Sequence, residues 1–493
     1  MAAEIRIVAW TLMLVILTAC GSFQRNPQLV EFNPAAGYRF GNLALGPGNS
    51  DDLFVVVSFS GGGTRAAAMA YGVMKTLEST RIQWNGEEKS LLDEVDMITS
   101  VSGGSFTSGY YALHGKEIFD GRFEEVFLNR NIEGKLLGQL LNPINLFNLL
   151  GGRSYSRSDL AADYYDQHIF NGATWADLAL RYRRPYVMIN ATDMTMGAQF
   201  QFIQDQFDLL CSNLDGVHLA RAVATSSAFP GLLSPLTYAN YANQGCNFTD
   251  SDWVSNAEST RRTNAQLANL AETRRSYYSP DNFTGGWRDY IHLIDGGVID
   301  NIGLRGLILA LEYEIFPYSL LQKFNNEEID KLLMVVVNGA SLAQTDRDNS
   351  SSVPGLFDNI FRTASVPVDR VSEDTIELIR ATVDQFNSDY EILQQCTSLI
   401  QDACPASGVD LGELHAVDLY ISEVSFDYIA DPERRRYFQN IPTNFNLSPE
   451  VNAELFEVAC NLLTNDPELQ LLLSGDRGFS DTAVTGELSE CPE

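Results

Sequence analysis

Residues 58–78 read SFSGGGTRAAAMAYGVMKTLE. Three glycines, Gly61, Gly62 and Gly63, separate the β-branched apolar run Asp52–Phe59 from a segment of helix formers. The run has the pattern of a short buried strand. Ala66, Met69, Ala70, Val73, Met74 and Leu77 share one helical face, which predicts a helix over Ala66–Ser79. Bare amides at a helix N-terminus attract negative charge. Two ligands suit such a turn: the phosphate of a dinucleotide, or the oxygen of a reacting carbonyl.

The dinucleotide reading has a formal match. Gly61 to Ala66 fits G-x-G-x-x-G/A. That fingerprint needs an acidic residue about twenty positions on, at a strand end, to hold the ribose. Glu87 and Glu88 sit in the polar stretch NGEEKS instead. The chain also opens with an export-like segment, and free nicotinamide cofactors belong to the cytoplasm. No cofactor is therefore expected. The carbonyl reading needs a nucleophile at the same sheet edge. There the glycines would serve as an oxyanion hole, since side chains would block the approach of backbone N–H groups.

Val95–Ser100 reads as a second strand and Phe106–His114 as a second helix. Ser102 lies between them, where a tight strand-to-helix turn exposes a hydroxyl. The turn wants small residues two positions either side. Gly104 satisfies this, and Ser100 stands where glycine is usual. Ser100 and Ser105 are competing nucleophiles. Serine needs a base. Of the five histidines, only His415 follows Asp295, in GELHAVDL without turn chemistry. His292, three residues before Asp295, faces the opposite side of a predicted strand over Tyr290–Ile294. Asp295 ends that strand before Gly296 and Gly297, which permit close backbone approach, so it is the better base.

These motifs resemble the patatin-like phospholipase family. They are Gly61-Gly62-Gly63-Thr64-Arg65 for the GGGxR loop, Ser102 with Gly104 for G-x-S-x-G, and Asp295-Gly296-Gly297 for D-G-G/A. Leu219–Gly231 resembles the family's ARA-x-x-x-S-x-A-x-P element, and Ile441–Ser448 resembles segments of bacterial members. The family pattern often has an acidic residue where this chain has Ser60. The resemblance implies a three-layer α/β fold with a mostly parallel sheet flanked by helices. It also implies lipid acyl-ester hydrolysis by a Ser102–Asp295 dyad through an acyl-enzyme, without histidine or metal. Gly61 to Gly63 and Arg65 would make up the oxyanion hole, the backbone N–H groups of the glycines holding the oxyanion and Arg65 bracing the loop. It spans roughly residues 53–463, so the C-terminal third belongs to one catalytic domain, 51–493. The alternative is a non-catalytic envelope lipoprotein that uses the fold for lipid binding or assembly.

The rest of the sequence bounds the setting. The 493 residues carry 33 Lys plus Arg against 64 Asp plus Glu, a net charge of −31. Such a surface repels nucleic acid and anionic lipid alike. Ile7–Ala19 is apolar but shorter than a membrane span and ends in LTAC, like a lipoprotein signal cut before Cys20. Residues 1–19 are thus expected to be removed, Cys20 to carry lipid, and residues 20–50 to form a tether. By resemblance to lipoprotein sorting, the absence of Asp after Cys20 favours the outer membrane of a Gram-negative envelope; the alternative is an ordinary signal peptide or a short anchor with a chance cysteine. Six cysteines remain, an even number suited to export. Proximity suggests 211–246, 396–404 and 460–491, and no spacing suits a metal. Two insertions stand out: the apolar 130–152, a lid-like flap or a core helix broken at Pro143, and the polar 240–288, a surface excursion.

Overall fold

The computed structural model describes residues 24–491, apart from 150–154, 281–285, 340–355, 404–415 and shorter stretches elsewhere. The expected signal peptide and Cys20 fall outside the described residues, as do Cys404 and His415. No helix among the described residues is long and apolar enough to cross a membrane.

Strand β1 (Leu53–Phe59) buries all seven side chains. Helix α1 (Gly63–Ser79) begins inside the glycine turn, before the apolar periodicity that predicted it, because glycine leaves no periodic signal. Next comes the hairpin β2 (Arg81–Trp84) and β3 (Glu87–Ser90), turned at Asn85-Gly86 with positive φ at both. Glu87 and Glu88 are exposed on that hairpin, away from any parallel strand end. The ribose position of the dinucleotide reading therefore does not exist.

Strand β4 (Val95–Val101) leads into α2 (Gly103–His114). The apolar insertion opens with α3 (Ile132–Leu140), and α4 (Arg157–Tyr165) follows. Then come β5 (Tyr186–Asp193), β6 (Ala198–Gln201), α5 (Leu219–Ser226) and β7 (Leu236–Ala239). The polar insertion folds into α6 (Asp252–Ala257) and α7 (Ala265–Tyr278). Strands β8 (Tyr290–Asp295) and β9 (Lys331–Asn338) are followed by the long helix α8 (Leu356–Ala403) and β10 (Asp418–Ser425). Helix α9 (Pro449–Thr464) and β11 (Thr485–Glu487) close the chain.

The main sheet has the order β10-β9-β1-β4-β5-β8-β7, with β6 also paired to β5. Strands β10, β9, β1, β4 and β5 run parallel to one another. Strand β8 runs antiparallel to β5 and β7, and β6 antiparallel to β5. Strands β1, β4 and β5 are buried along their whole length, as continuous apolar strands covered on both faces must be. The sheet is therefore the mostly parallel one expected, flanked by helices. Register aligns three strand ends: Phe59 pairs with Ser100, Val101 with Asn190, and Ala191 with Asp295.

The C-terminal segment belongs to the same body. Strand β10 adds to β9, and α9 packs along α1 so closely that a Cβ at Gly72 would lie 3.0 Å from Phe456 Cα. The polar insertion is more than a loop. It holds a small apolar cluster of Val254, Ala257 and Ala271, and Tyr277 donates to the buried Asp193 carboxylate at 2.9 Å. Cys211 pairs with Cys246 and Cys460 with Cys491. Cys396, expected to pair with Cys404, instead has a free exposed thiol. It lies inside α8, which continues through Ala403.

Arg221 on α5 pairs with Asp159 on α4 at 2.7 Å, both nearly fully buried, and its guanidinium lies over the Tyr238 ring. Removing one partner leaves an uncompensated buried charge. Asp159→Ala is expected to lower unfolding stability by about 3 kcal/mol, read as a lower urea midpoint; an unchanged midpoint would contradict this account.

Candidate active site

Ser102 follows the last residue of β4 and precedes the first residue of α2. Its backbone has φ 50° and ψ −117°, a region that L-residues rarely adopt. Packing around the turn enforces this. A Cβ at Gly103 would lie 2.1 Å from Gly63 O, and one at Gly104 would lie 2.6 Å from Phe59 Cβ. The elbow can form only because these positions are glycine. Ser100, standing where glycine is usual, is tolerated because its hydroxyl is fully used: it lies 2.6 Å from Ser108 Oγ and donates to Met188 O. Ser105 Oγ donates to Ser102 O at 2.5 Å. Both competing serines are buried and occupied.

Asp295 ends β8, and one strand, β5, separates β8 from β4. The two turns bridge that gap. Ser102 Oγ donates to Asp295 Oδ2 at 2.9 Å. Gly297 N–H donates to Asp295 Oδ1 at 2.8 Å, so the second glycine orients the carboxylate. Gly296 gives the required close approach: a Cβ there would lie 2.4 Å from Asn190 O. Asp295 is 3 % exposed. Burial pushes its carboxyl up from 3.8 to about 7, against the hydrogen bonds from Gly297 and Ser102 that favour the charged form.

The glycine loop crosses above this pair. A Cβ on Gly61 would lie 3.2 Å from Ser102 Cβ. However, Gly61 N–H donates to Asn301 O at 2.9 Å. Gly61 therefore supplies room, not the N–H donor expected of it. The amides of Gly62 and Gly63 have no hydrogen-bond partner among the described residues. Gly63 has φ 63°, and Asn444 O lies 2.4 Å from where its Cβ would be. Only glycine satisfies both constraints.

Arg65, expected to brace the oxyanion loop, spends its guanidinium on hydrogen bonds to distant parts of the chain. It is buried, and its Nε donates to Gly339 O at 2.8 Å. Nη1 donates to Ile441 O and Nη2 to Thr443 Oγ1. Thr64 N–H donates to Asn444 O. Arg65 thus pins the glycine loop to a segment that follows it by 376 residues in the chain. Ser60, where the family pattern is often acidic, accepts from Gly339 N–H at 2.8 Å and belongs to the same brace.

No histidine hydrogen-bonds to Ser102 or Asp295 among the described residues. His292 is exposed and lies 3.0 Å from Thr237 Oγ1, on the face opposite Asp295.

Two residues that the sequence reading did not single out complete the site. Ser226, at the end of α5, accepts from Ser102 N–H at 2.8 Å and donates to Asn190 O at 2.6 Å. Asn190 in turn donates to Thr99 Oγ1 and Ser100 O. One β5 residue thereby touches the elbow strand, the Asp295 turn and, through Ser226, the Ser102 amide. The only sequence signal was the serine within the ARA-x-x-x-S element.

The fold class is thus an α/β three-layer hydrolase-like architecture with a serine elbow and an acidic turn on one sheet edge. Residues 57–308 match the patatin-like phospholipase family, which is over half of the chain, and the protein belongs to that family. No curated protein matches the chain. Among solved structures it is similar to human GIVD cytosolic phospholipase A2, at 12% identity over 58% of this chain and 45% of that one, with a TM-score of 0.34. It is also similar to VipD from Legionella pneumophila, at 12% identity over 90% of this chain and 71% of that one, with a TM-score of 0.25. The chain covers less than half of the human phospholipase's length.

Ser226→Ala leaves the Ser102 N–H buried without its acceptor, which costs about 1–3 kcal/mol. If the loss falls on the elbow, ester turnover is expected to drop roughly 5- to 150-fold with the circular dichroism spectrum unchanged. Wild-type turnover in that variant would show the hydrogen bond to be idle.

Proposed function

We propose that the protein hydrolyses carboxylic ester bonds of lipids, as a phospholipase A or lysophospholipase, through a Ser102–Asp295 dyad. The observation that carries this reading is the 2.9 Å hydrogen bond from Ser102 Oγ to a buried carboxylate whose pKa burial has raised to about 7. A general base works best with a pKa near the working pH. Asp295 takes the hydroxyl proton as Ser102 Oγ attacks the ester carbonyl. The N–H groups of Gly62 and Gly63 receive the oxyanion. Asp295 passes the proton to the leaving alcohol, then takes one from the water that attacks the acyl-enzyme and returns it to Ser102 Oγ as the carboxylic acid leaves.

The setting we propose is the cell envelope, with Cys20 as the lipid anchor and the outer membrane of a Gram-negative bacterium as the site. The two disulfides support an oxidising compartment. The apolar insertion suits a lid over the site. Leu137 and Leu141 are 60% and 76% exposed. The N-terminus of α3 donates from Ile132 and Glu133 to Phe445 O, next to the Asn444 that packs on Gly63. Exposed leucines rooted beside the glycine loop would meet lipid first.

A fluorophosphonate probe is expected to label wild type but not Ser102→Ala, and p-nitrophenyl ester turnover is expected to vanish in that variant while the fold persists. Labelling at another residue would remove Ser102 from the chemistry and favour a non-catalytic lipid-binding scaffold. The dyad also sets a pH dependence. The kcat/KM profile is expected to rise with an apparent pKa near 7, since protonated Asp295 cannot accept the hydroxyl proton. Stability runs the other way. A carboxyl whose folded pKa of about 7 exceeds its unfolded value of 3.8 keeps its proton on folding, so its contribution is lost as pH rises through that window. Asp295→Asn is therefore expected to melt higher than wild type at pH 8, with the difference shrinking at pH 4, and to be inactive at both. A lower melting point at pH 8 would contradict the raised pKa. Leu137→Ser with Leu141→Ser is expected to lower hydrolysis of phospholipid vesicles several-fold and leave soluble-ester turnover unchanged; equal effects on both would discard the lid.

A further inference from the structure

From Ser372 onward, where its side chains are described, helix α8 falls into two dissimilar stretches. In the first, Ile376, Ile379 and Val383 are buried against the body, and Phe386 meets the Phe324 ring at 5.4 Å between centroids. Asn387 then ties the helix to both backbone groups of Val417. From Ser388 to Ala403 all described side chains are exposed apart from Tyr390 and Thr397, which are half-buried. The helix leaves the body, yet it stays apolar along one side. Ile392, Leu393, Cys396, Leu399 and Ile400 are all exposed, Leu399 by 67% and Ile392 by 55%. At 100° per residue they form a single stripe roughly 120° wide. A projecting helix with such a stripe needs a partner.

The stripe itself says which partner. Counted from Cys396, its members stand at −4, −3, 0, +3 and +4. The pattern reads the same in both directions. Two antiparallel copies related by a two-fold axis at Cys396 set Ile392 opposite Ile400 of the second copy, Leu393 opposite Leu399, and the two Cys396 residues together. A self-complementary patch is what an isologous interface requires. Charge agrees. The acidic residues beside the stripe are Asp389, Glu391 and Asp402, at −7, −5 and +6, and none is mirrored by another acid. A lipid surface fits less well. Residues 381–403 contain no Lys, Arg or His, whereas helices that lie on membranes present cations on their polar face.

We propose that the projecting half of α8 is the interface of a two-fold homodimer, paired antiparallel about Cys396. The stripe spans eight residues of rise, about 12 Å. So short a contact belongs with the weak, transient interfaces, so the dimer is a reversible one.

The test uses the full chain purified in a non-ionic detergent. Light scattering is expected to show the protein mass rising from one chain towards two between about 1 and 200 μM. Leu393→Asp with Leu399→Asp is expected to stay monomeric throughout, with unchanged circular dichroism and melting, because both positions are exposed. A short bismaleimide is expected to couple two wild-type chains and to lose that coupling in Cys396→Ser, whose mass is otherwise that of wild type. A wild-type chain that stays monomeric over the whole range overturns the proposal. So does a dimer that survives the double substitution, or coupling that persists without Cys396.

Discussion

The hydrogen bond from Ser102 Oγ to Asp295 Oδ2 joins turns on two strands that are not neighbours, and the geometry around it exists to make that contact. Strand β5 lies between them, and adjacent strands sit about 4.8 Å apart. Each turn must therefore lean over β5. The β4 turn does so through the strained backbone of Ser102, and the β8 turn through Gly296, which sits against Asn190 O. Both lean on the same β5 residue. Asn190 is where the two halves of the site are referenced to each other.

The strain at Ser102 is held by its neighbours rather than by any one bond. The Ser102 amide is taken by Ser226, and the glycine loop presses on Gly103 from above. The loop is itself held from outside the elbow, by Arg65 reaching to Gly339, Ile441 and Thr443. The family match ends at residue 308, but the site's roof is finished by residues near 444. A chain cut at the family boundary would lose the support that shapes its glycine turn.

Burial does two jobs for Asp295. It disfavours the charged carboxylate, which raises the pKa into the range of a useful base. It also makes the folded state less stable at the pH where that carboxyl is ionised. Asp96 shows the same effect elsewhere: burial raises its pKa to about 7 although Arg184 pairs with it at 2.8 Å. What separates the two is the partner. Asp96 faces a guanidinium and holds strands together, whereas Asp295 faces a hydroxyl that can give up a proton.

Much of this was legible from local pattern. Strands β1, β4, β5 and β9 showed as apolar runs, because strands buried on both faces leave that mark, and β8 showed as an alternating one because only one of its faces is covered throughout. Gly61–Gly63, Ser102 and Asp295 showed because tight turns restrict residue type, and restricted positions are visible one at a time. Three features were not legible. Gly61 lost its donor role to the carbonyl of Asn301, and Arg65 was drawn to carbonyls at the far end of the chain. Ser226 and Asn190 acquired their positions only when α5 and β5 packed beside the elbow. Sequence alone determined which residues could make a turn, a donor or a base, since those limits are set within a few bonds. Tertiary structure decided which of them meet, because a hydrogen bond between residues 193 positions apart depends on the path of everything folded between.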